Sequence, residues 1–150
     1  MSTCCILGLG YIGLPTAAVL VGAGHRVIGV DVNIEVVETV NHGQIHILEP
    51  GLDQAVAEAV ASGALKAQLS PTHSDVFLIA VPTPLSSSCT DGIPQPKIDY
   101  VLAAARAIAP VLRPGNLVLL ESTSPVGTTQ HVAKVISEFS ELNIEQVDIA

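Results

Sequence analysis

Six residues constrain this chain more than any others: Gly8-Leu9-Gly10-Tyr11-Ile12-Gly13. They follow directly on a short apolar run, residues 4–7, and lead into an Ala- and Val-rich stretch that reaches Gly24. A second apolar run, residues 26–30, comes next, and Asp31 closes the unit. The order is strand, glycine turn, helix, strand, acid. A bare G-x-G-x-x-G means little, because glycine and small apolar residues are common. Set between a strand and a helix, with an acid after the second strand, it points to a dinucleotide site.

The chemistry explains the spacing. Gly8 permits the tight turn, Gly10 lets a pyrophosphate approach the backbone, and Gly13 lets the helix pack closely on the strand. The ligand's negative charge then faces unpaired N–H groups at a helix N-terminus. Asp31 is placed to accept hydrogen bonds from the adenosine ribose and to repel a 2′-phosphate. Neither Val32 nor Asn33 offers a cation to hold one. NAD is therefore expected over NADP. The plainer reading is a tight strand–helix turn with a solvated Asp.

Downstream, strands and helices keep alternating. Asn33 is placed to cap a helix reaching about Asn41, with Val36, Val37 and Val40 inward and Gly43 ending it. Residues 44–48 read as a connector, and Glu49-Pro50-Gly51-Leu52 opens a helix to about Ala61, with Glu49 set to complement its dipole. Residues 65–69 read as a third strand and 75–81 as the clearest buried one. A loop follows from Pro82 to about Lys97, including Asp91 and Gly92, and a loop that long is usually functional or mobile. Asp99 should cap a helix with Val101, Leu102, Ala105 and Ile108 inward. Residues 116–120 form a fifth strand, and the next helix carries Val132, Val135, Ile136 and Phe139. Residues 147–150 begin a further strand.

This pattern implies an α/β fold in a single domain: a doubly wound, mostly parallel sheet of the Rossmann type. In its usual strand order the first, fourth and fifth strands are neighbours, and ligands sit outside their carboxyl ends. Gly8, Thr83 and the Ser122-Thr123 pair each lie just past such an end. Three turns should thus converge on one crevice.

Composition narrows the partners. Hydrophobic residues make up 49% of the 150 and charged ones 13%, which suits a parallel sheet covered on both faces. The net charge is −8, with six Lys and Arg and no basic run, so neither nucleic acid nor an anionic membrane is an expected partner. No stretch reads as a targeting signal or membrane span, and a cytoplasmic location is expected. Cys4 and Cys5, adjacent on a strand, must face opposite ways, and Cys89 stands in a polar segment, so no disulfide framework is expected. The spacing of His25, His42, His46, His73 and His131 fits no metal site, and none is expected.

Taken together, five stretches resemble one family. These are Gly8 to Pro15 (GLGYIGLP), Gly29-Val30-Asp31-Val32-Asn33, Glu49-Pro50-Gly51-Leu52, Val81-Pro82-Thr83-Pro84 and Glu121 to Gly127 (ESTSPVG). The chain resembles the N-terminal NAD-binding domain of the UDP-sugar 6-dehydrogenases, also called the UDP-glucose/GDP-mannose dehydrogenase family. Residues 45–50 (IHILEP) and 108–112 (IAPVL) look most like its UDP-N-acetyl-D-mannosamine dehydrogenase branch.

The resemblance implies oxidation of a UDP-sugar's primary alcohol to the carboxylate with two NAD, through a cysteine-held aldehyde stage, in a homo-oligomeric enzyme of polysaccharide biosynthesis. By position, Gly10, Tyr11, Ile12 and Asp31 would hold the adenosine and pyrophosphate end of NAD. Thr83 and Ser122 would contact it nearer the nicotinamide, and Thr123 would help place a catalytic water. The family's nucleophilic cysteine, catalytic lysine and asparagine, long dimer-forming helix and nucleotide-sugar domain lie beyond residue 150. None of the three cysteines here matches the nucleophile's motif. The chain therefore reads as a piece of a longer enzyme, expected to bind NAD without turning over a sugar.

Plainer roles stand beside these. Thr83 can be an ordinary loop residue, Ser122 and Thr123 helix caps, and Tyr11 a ring covering the helix start, while Glu121 can either order the cofactor or merely bond the local backbone. A 3-hydroxyacid-type dehydrogenase shares the glycine turn, and a non-catalytic NAD-sensing module could use it too. The Glu-Pro-Gly-Leu and Glu-Ser-Thr-Ser-Pro stretches argue against the former.

Overall fold

The computed structural model describes residues 1–90 and 93–150. The chain runs β1 (Thr3–Leu7), α1 (Gly13–Gly22), β2 (Arg26–Val30), α2 (Ile34–Asn41), α3 (Leu52–Ala61), β3 (Leu65–Gln68) and β4 (Val76–Ile79). It continues with β5 (Leu85–Thr90), β6 (Ile93–Pro96), α4 (Asp99–Ile108), β7 (Leu117–Leu120), α5 (Thr128–Phe139) and β8 (Asp148–Ile149). Short 3₁₀ turns cover Ala109–Val111 and Ile144–Gln146. Six strands pair in parallel in the order β3-β2-β1-β4-β7-β8, the doubly wound arrangement expected from the alternating pattern.

Side chains along the central strands alternate between two cores. Cys4 and Ile6 face α1, α2 and α3, where Leu14, Ala17, Val37, Val40, Leu52 and Val56 pack. Cys5 and Leu7 face α4 and α5, against Val101, Ala105, Ile108, Val132 and Ile136. The two cysteines thus point to opposite faces, as their adjacency requires. Being covered on both sides is why these strands read as continuous apolar runs.

Register sets the site. Leu7 pairs with both Val30 and Ile79, and Ile79 pairs with Leu120. The four strands therefore end level, and the residues that leave them (Gly8, Asp31, Ala80 and Glu121) stand side by side along one edge of the sheet.

Helix ends follow local chemistry in part. Asn33 caps α2, its side chain accepting from the Glu35 N–H at 2.9 Å. At the other end the Gly43 N–H donates to Val40 O (2.9 Å) and the Gln44 N–H to Thr39 O (3.0 Å), a closed C-terminal motif. Other expectations are corrected. Asp99 is the first residue of α4 rather than its cap; Ile98 holds that position without a side-chain bond. α3 begins at Leu52 behind Gly51, so exposed Glu49 lies outside its first turn, where Asp53 stands instead. Leu102 is only half-buried and Ala104 takes its inward place; Phe139 is exposed, its ring 4.8 Å from the Arg106 guanidinium.

The segment expected to be a loop from Pro82 to Lys97 contains the antiparallel pair β5–β6, closed by a Lys97 N–H to Pro84 O bond of 2.8 Å. Cys89 falls in β5. Pro94 and Pro96 are tolerated because a two-stranded ribbon leaves outward-facing positions with no partner to bond. Asp91 and Gly92, placed in the same loop, lie outside the described residues. The connector at 44–48 also carries a core residue, Ile47, which is buried among α1–α3. Among the described residues no helix is long and apolar enough to cross a membrane.

Candidate functional site

The glycine turn is held by its neighbours. The Gly8 N–H donates to Val30 O at 2.8 Å, tying the end of β1 to that of β2. Gly8 adopts φ +94, and a Cβ there would stand 2.6 Å from Ala80 O on β4's exit. At Gly13 a Cβ would fall 1.8 Å from Gly8 O, so α1 can start this close to β1 only without one. Gly10 differs: apart from its own chain neighbours, no heavy atom of the described residues lies within 4 Å of where its Cβ would be. Two of the three glycines are demanded by the fold, and the third faces open space.

That open space adjoins unsatisfied donors. Among the described residues nothing accepts from the N–H groups of Gly10, Tyr11, Ile12 or Gly13, while the Leu14 N–H begins the helical ladder on Gly10 O at 3.1 Å. Four adjacent donors at a helix start suit an anionic pyrophosphate. Tyr11 and Ile12 are exposed, their side chains bordering the turn rather than filling the core.

Asp31 is anchored beside them. One carboxylate oxygen accepts from the Leu9 N–H at 3.0 Å, and the other accepts from the Asn33 N–H at 2.9 Å. Each oxygen keeps a lone pair for a further donor. Val32 next to it is almost wholly exposed, and no ion pair to Asp31 occurs among the described residues. Leu9, inside the turn, is fully buried, and its side chain lies where a Cβ on Gly29 would be, 2.7 Å away. The sequence reading missed this pairing of Leu9 with Gly29, although a glycine inside an apolar strand signals such a close approach.

The third and fourth exits meet this pair. The Ala80 N–H donates to Leu7 O at 2.8 Å, and the N–H groups of Glu121 and Ser122 both donate to Ile79 O, at 2.9 and 3.0 Å. Ser122 Oγ lies 3.1 Å from Ile79 O and 2.8 Å from Val81 O. Neither Ser122 nor Thr123 caps α5; Gly127 holds that position, and the first-turn Thr128 hydroxyl donates to Pro125 O at 2.7 Å. Thr83 is half-buried two residues past Val81, and Thr123 is exposed beside Ser122. Gly8, the Ala80–Val81 exit and Ser122 thus meet at the sheet's carboxyl edge, with Thr83 and Thr123 following them in the chain.

A family model described as the UDP-glucose/GDP-mannose dehydrogenase family, NAD binding domain, matches residues 2–150. The chain belongs to that family. Its motifs pointed there, and the match over nearly the whole length favours it over the 3-hydroxyacid type. The chain is 52% identical over 134 residues to UDP-N-acetyl-D-mannosamine dehydrogenase of Campylobacter jejuni, covering 89% of this chain and 32% of that protein. It is 53% identical over 135 residues to NDP-N-acetyl-D-galactosaminuronic acid dehydrogenase of Ralstonia nicotianae, covering 90% and 31%. The solved structure of the UDP-N-acetyl-mannosamine dehydrogenase of Staphylococcus aureus superposes with a TM-score of 0.88 at 38% identity, over 97% of this chain and 35% of that one. The chain thus spans about a third of the length of these relatives. The mannosamine branch expected from IHILEP and IAPVL is among the matches.

Two cysteines and three histidines carry further contacts among the described residues. Burial pushes the Cys5 thiol up to about 12, reinforced by Cys4 and partly offset by a backbone hydrogen bond at Thr72. Burial, then Asp75, also raises Cys4. Burial thus holds both as neutral thiols near neutrality. The ring Nδ1 atoms of His42, His73 and His131 sit 2.7–2.9 Å from the carbonyls of Glu38, Val111 and Gly127. Among the described residues no three His, Cys, Asp or Glu side chains group as a metal site.

Proposed function

We propose that this chain forms the NAD-holding part of a UDP-sugar 6-dehydrogenase, one that oxidises the primary alcohol of UDP-N-acetyl-D-mannosamine to the uronic acid. The observation that carries the reading is the contrast within the glycine turn: Gly8 and Gly13 are filled by backbone, whereas Gly10 opens onto four unpaired N–H groups with Asp31 beside them. A turn needed only for folding has no reason to leave that side empty. The residues fit NAD: Gly10, Tyr11, Ile12 and Gly13 cradle the pyrophosphate and Asp31 accepts from the adenosine ribose. Thr83 and the Ser122 turn border the nicotinamide, and Gly8 sets the approach of β4's exit to the cleft.

Bound there, NAD supplies the hydride acceptor for each of the two oxidations. Thr123, exposed next to Ser122, would orient a water for the final hydrolysis. An acidic side chain at position 31, beside the ribose, would oppose a 2′-phosphate, which disfavours NADP. We further propose a cytoplasmic homo-oligomer acting in polysaccharide biosynthesis, on the likeness to the nucleotide-sugar dehydrogenases named above. Calorimetric titration with NAD, NADP and ADP-ribose tests the site. NAD binding lost on Asp31→Ala but kept on Thr123→Ala supports the assignment; unchanged NAD affinity in Asp31→Ala refutes it.

A further inference from the structure

The exit of β4 is gripped from two sides. On one side Gly8 lies so close that a Cβ would stand 2.6 Å from Ala80 O and 3.2 Å from Val81 Cα. On the other, Ile79 O takes the N–H groups of Glu121 and Ser122, and the Ser122 hydroxyl lies within bonding distance of both Ile79 O and Val81 O, closer to the latter. A serine hydroxyl has one hydrogen. Shared between two carbonyls, it leaves nothing to donate to a ligand. Thr83 follows Val81 by two residues and Thr123 follows Ser122 directly, and no hydrogen bond involves either hydroxyl among the described residues.

We infer that Ser122 is a positioning residue of the cofactor site. Its hydroxyl locks the exits of β4 and β7 together and thereby sets where Thr83 and Thr123 stand, without itself touching the cofactor. The inference rests on the proposed NAD site and changes one assignment within it: Ser122 acts through its neighbours' backbone. A serine that contacted nicotinamide directly would be energetically independent of Thr83. One that holds the Val81–Thr83 turn in place has its whole effect through that turn.

The test is a double-mutant cycle read by calorimetry with two ligands, NAD and ADP-ribose, on the whole chain. Ser122→Ala should weaken NAD about tenfold, the weight of one well-placed hydrogen bond, and leave ADP-ribose unchanged, since the adenosine end is held by other turns. Thr83→Val should weaken NAD similarly, and the double variant should be no weaker than Thr83→Val alone. Ser122→Thr, which keeps the hydroxyl, should restore binding; Ser122→Cys replaces Ser122→Ala if the latter fails to fold. Losses that multiply in the double variant, equal weakening of ADP-ribose, or NAD binding untouched by Ser122→Ala would each overturn the inference. A wild-type chain that binds neither ligand would instead sink the cofactor site itself.

Discussion

Substituting alanine for each glycine of the turn separates folding from binding. At Gly13 the new methyl falls 1.8 Å from Gly8 O, with Gly8 C and Ile6 Cγ2 at 3.0 and 3.1 Å. Contact between carbon and oxygen needs more than 3 Å, so α1 must retreat from β1 by over an ångström. Overpacking a core costs about 1–3 kcal/mol where side chains can adjust, and here the obstacle is backbone. Several kcal/mol is a large share of the roughly 5–15 kcal/mol that holds a domain of this kind together. At Gly10 the methyl meets nothing within 4 Å, and the backbone is not in the left-handed region. Gly10→Ala should therefore be neutral, or stabilise by up to about 1 kcal/mol through the unfolded state. That methyl would, however, occupy the space against which the pyrophosphate is proposed to lie. Chemical denaturation and NAD calorimetry on the two variants decide the matter. Gly13→Ala should unfold at much lower denaturant, while Gly10→Ala should keep wild-type stability and lose NAD affinity at least about a hundredfold, roughly 2.7 kcal/mol. A Gly10→Ala chain that binds NAD normally, or a Gly13→Ala chain as stable as wild type, would refute the reasoning.

Further outcomes follow from the same geometry. Leu9→Ala empties the fully buried space over Gly29 and should cost about 2–5 kcal/mol in a denaturation midpoint experiment. Cys5, raised to about 12 in the folded chain against 9.0 unfolded, favours the folded state fully below pH 9 and loses that contribution as pH climbs toward 12. Cys5→Ala should therefore show a shallower loss of stability over that window, on the order of a few kcal/mol less; equal slopes would contradict the burial of that thiol. Native Cys4 and Cys5 should also resist thiol reagents at neutral pH, read by mass spectrometry before and after denaturation.

The sheet was legible because each central strand is sandwiched between two helical layers, which writes it as an unbroken apolar run such as residues 76–80. The glycine turn was legible because three geometric demands fall at fixed spacing. The β5–β6 pair was not: its serines and prolines match loop chemistry, and its sequence carries no hydrophobic alternation to read. Asp99 illustrates the limit of local rules. It has the residue type of a cap, yet the chain enters α4 one position earlier, through Ile98. Phe139 has helical spacing but falls beyond the contact of α5 with the sheet, where Arg106 covers its ring instead. Ser122 could be found as a site residue from its motif, but the direction of its hydroxyl depends on the register between β4 and β7, which no local pattern encodes.

The central claim is that the edge formed by Gly8, Asp31, Val81 and Ser122 holds NAD. Isothermal titration of the purified chain with NAD and with NADP tests it most directly. The account predicts saturable binding of NAD and markedly weaker binding of NADP, because the proposed site sets the Asp31 carboxylate against the adenosine ribose and Val32 and Asn33 bring no cation. No binding of NAD, or tighter binding of NADP, would contradict it.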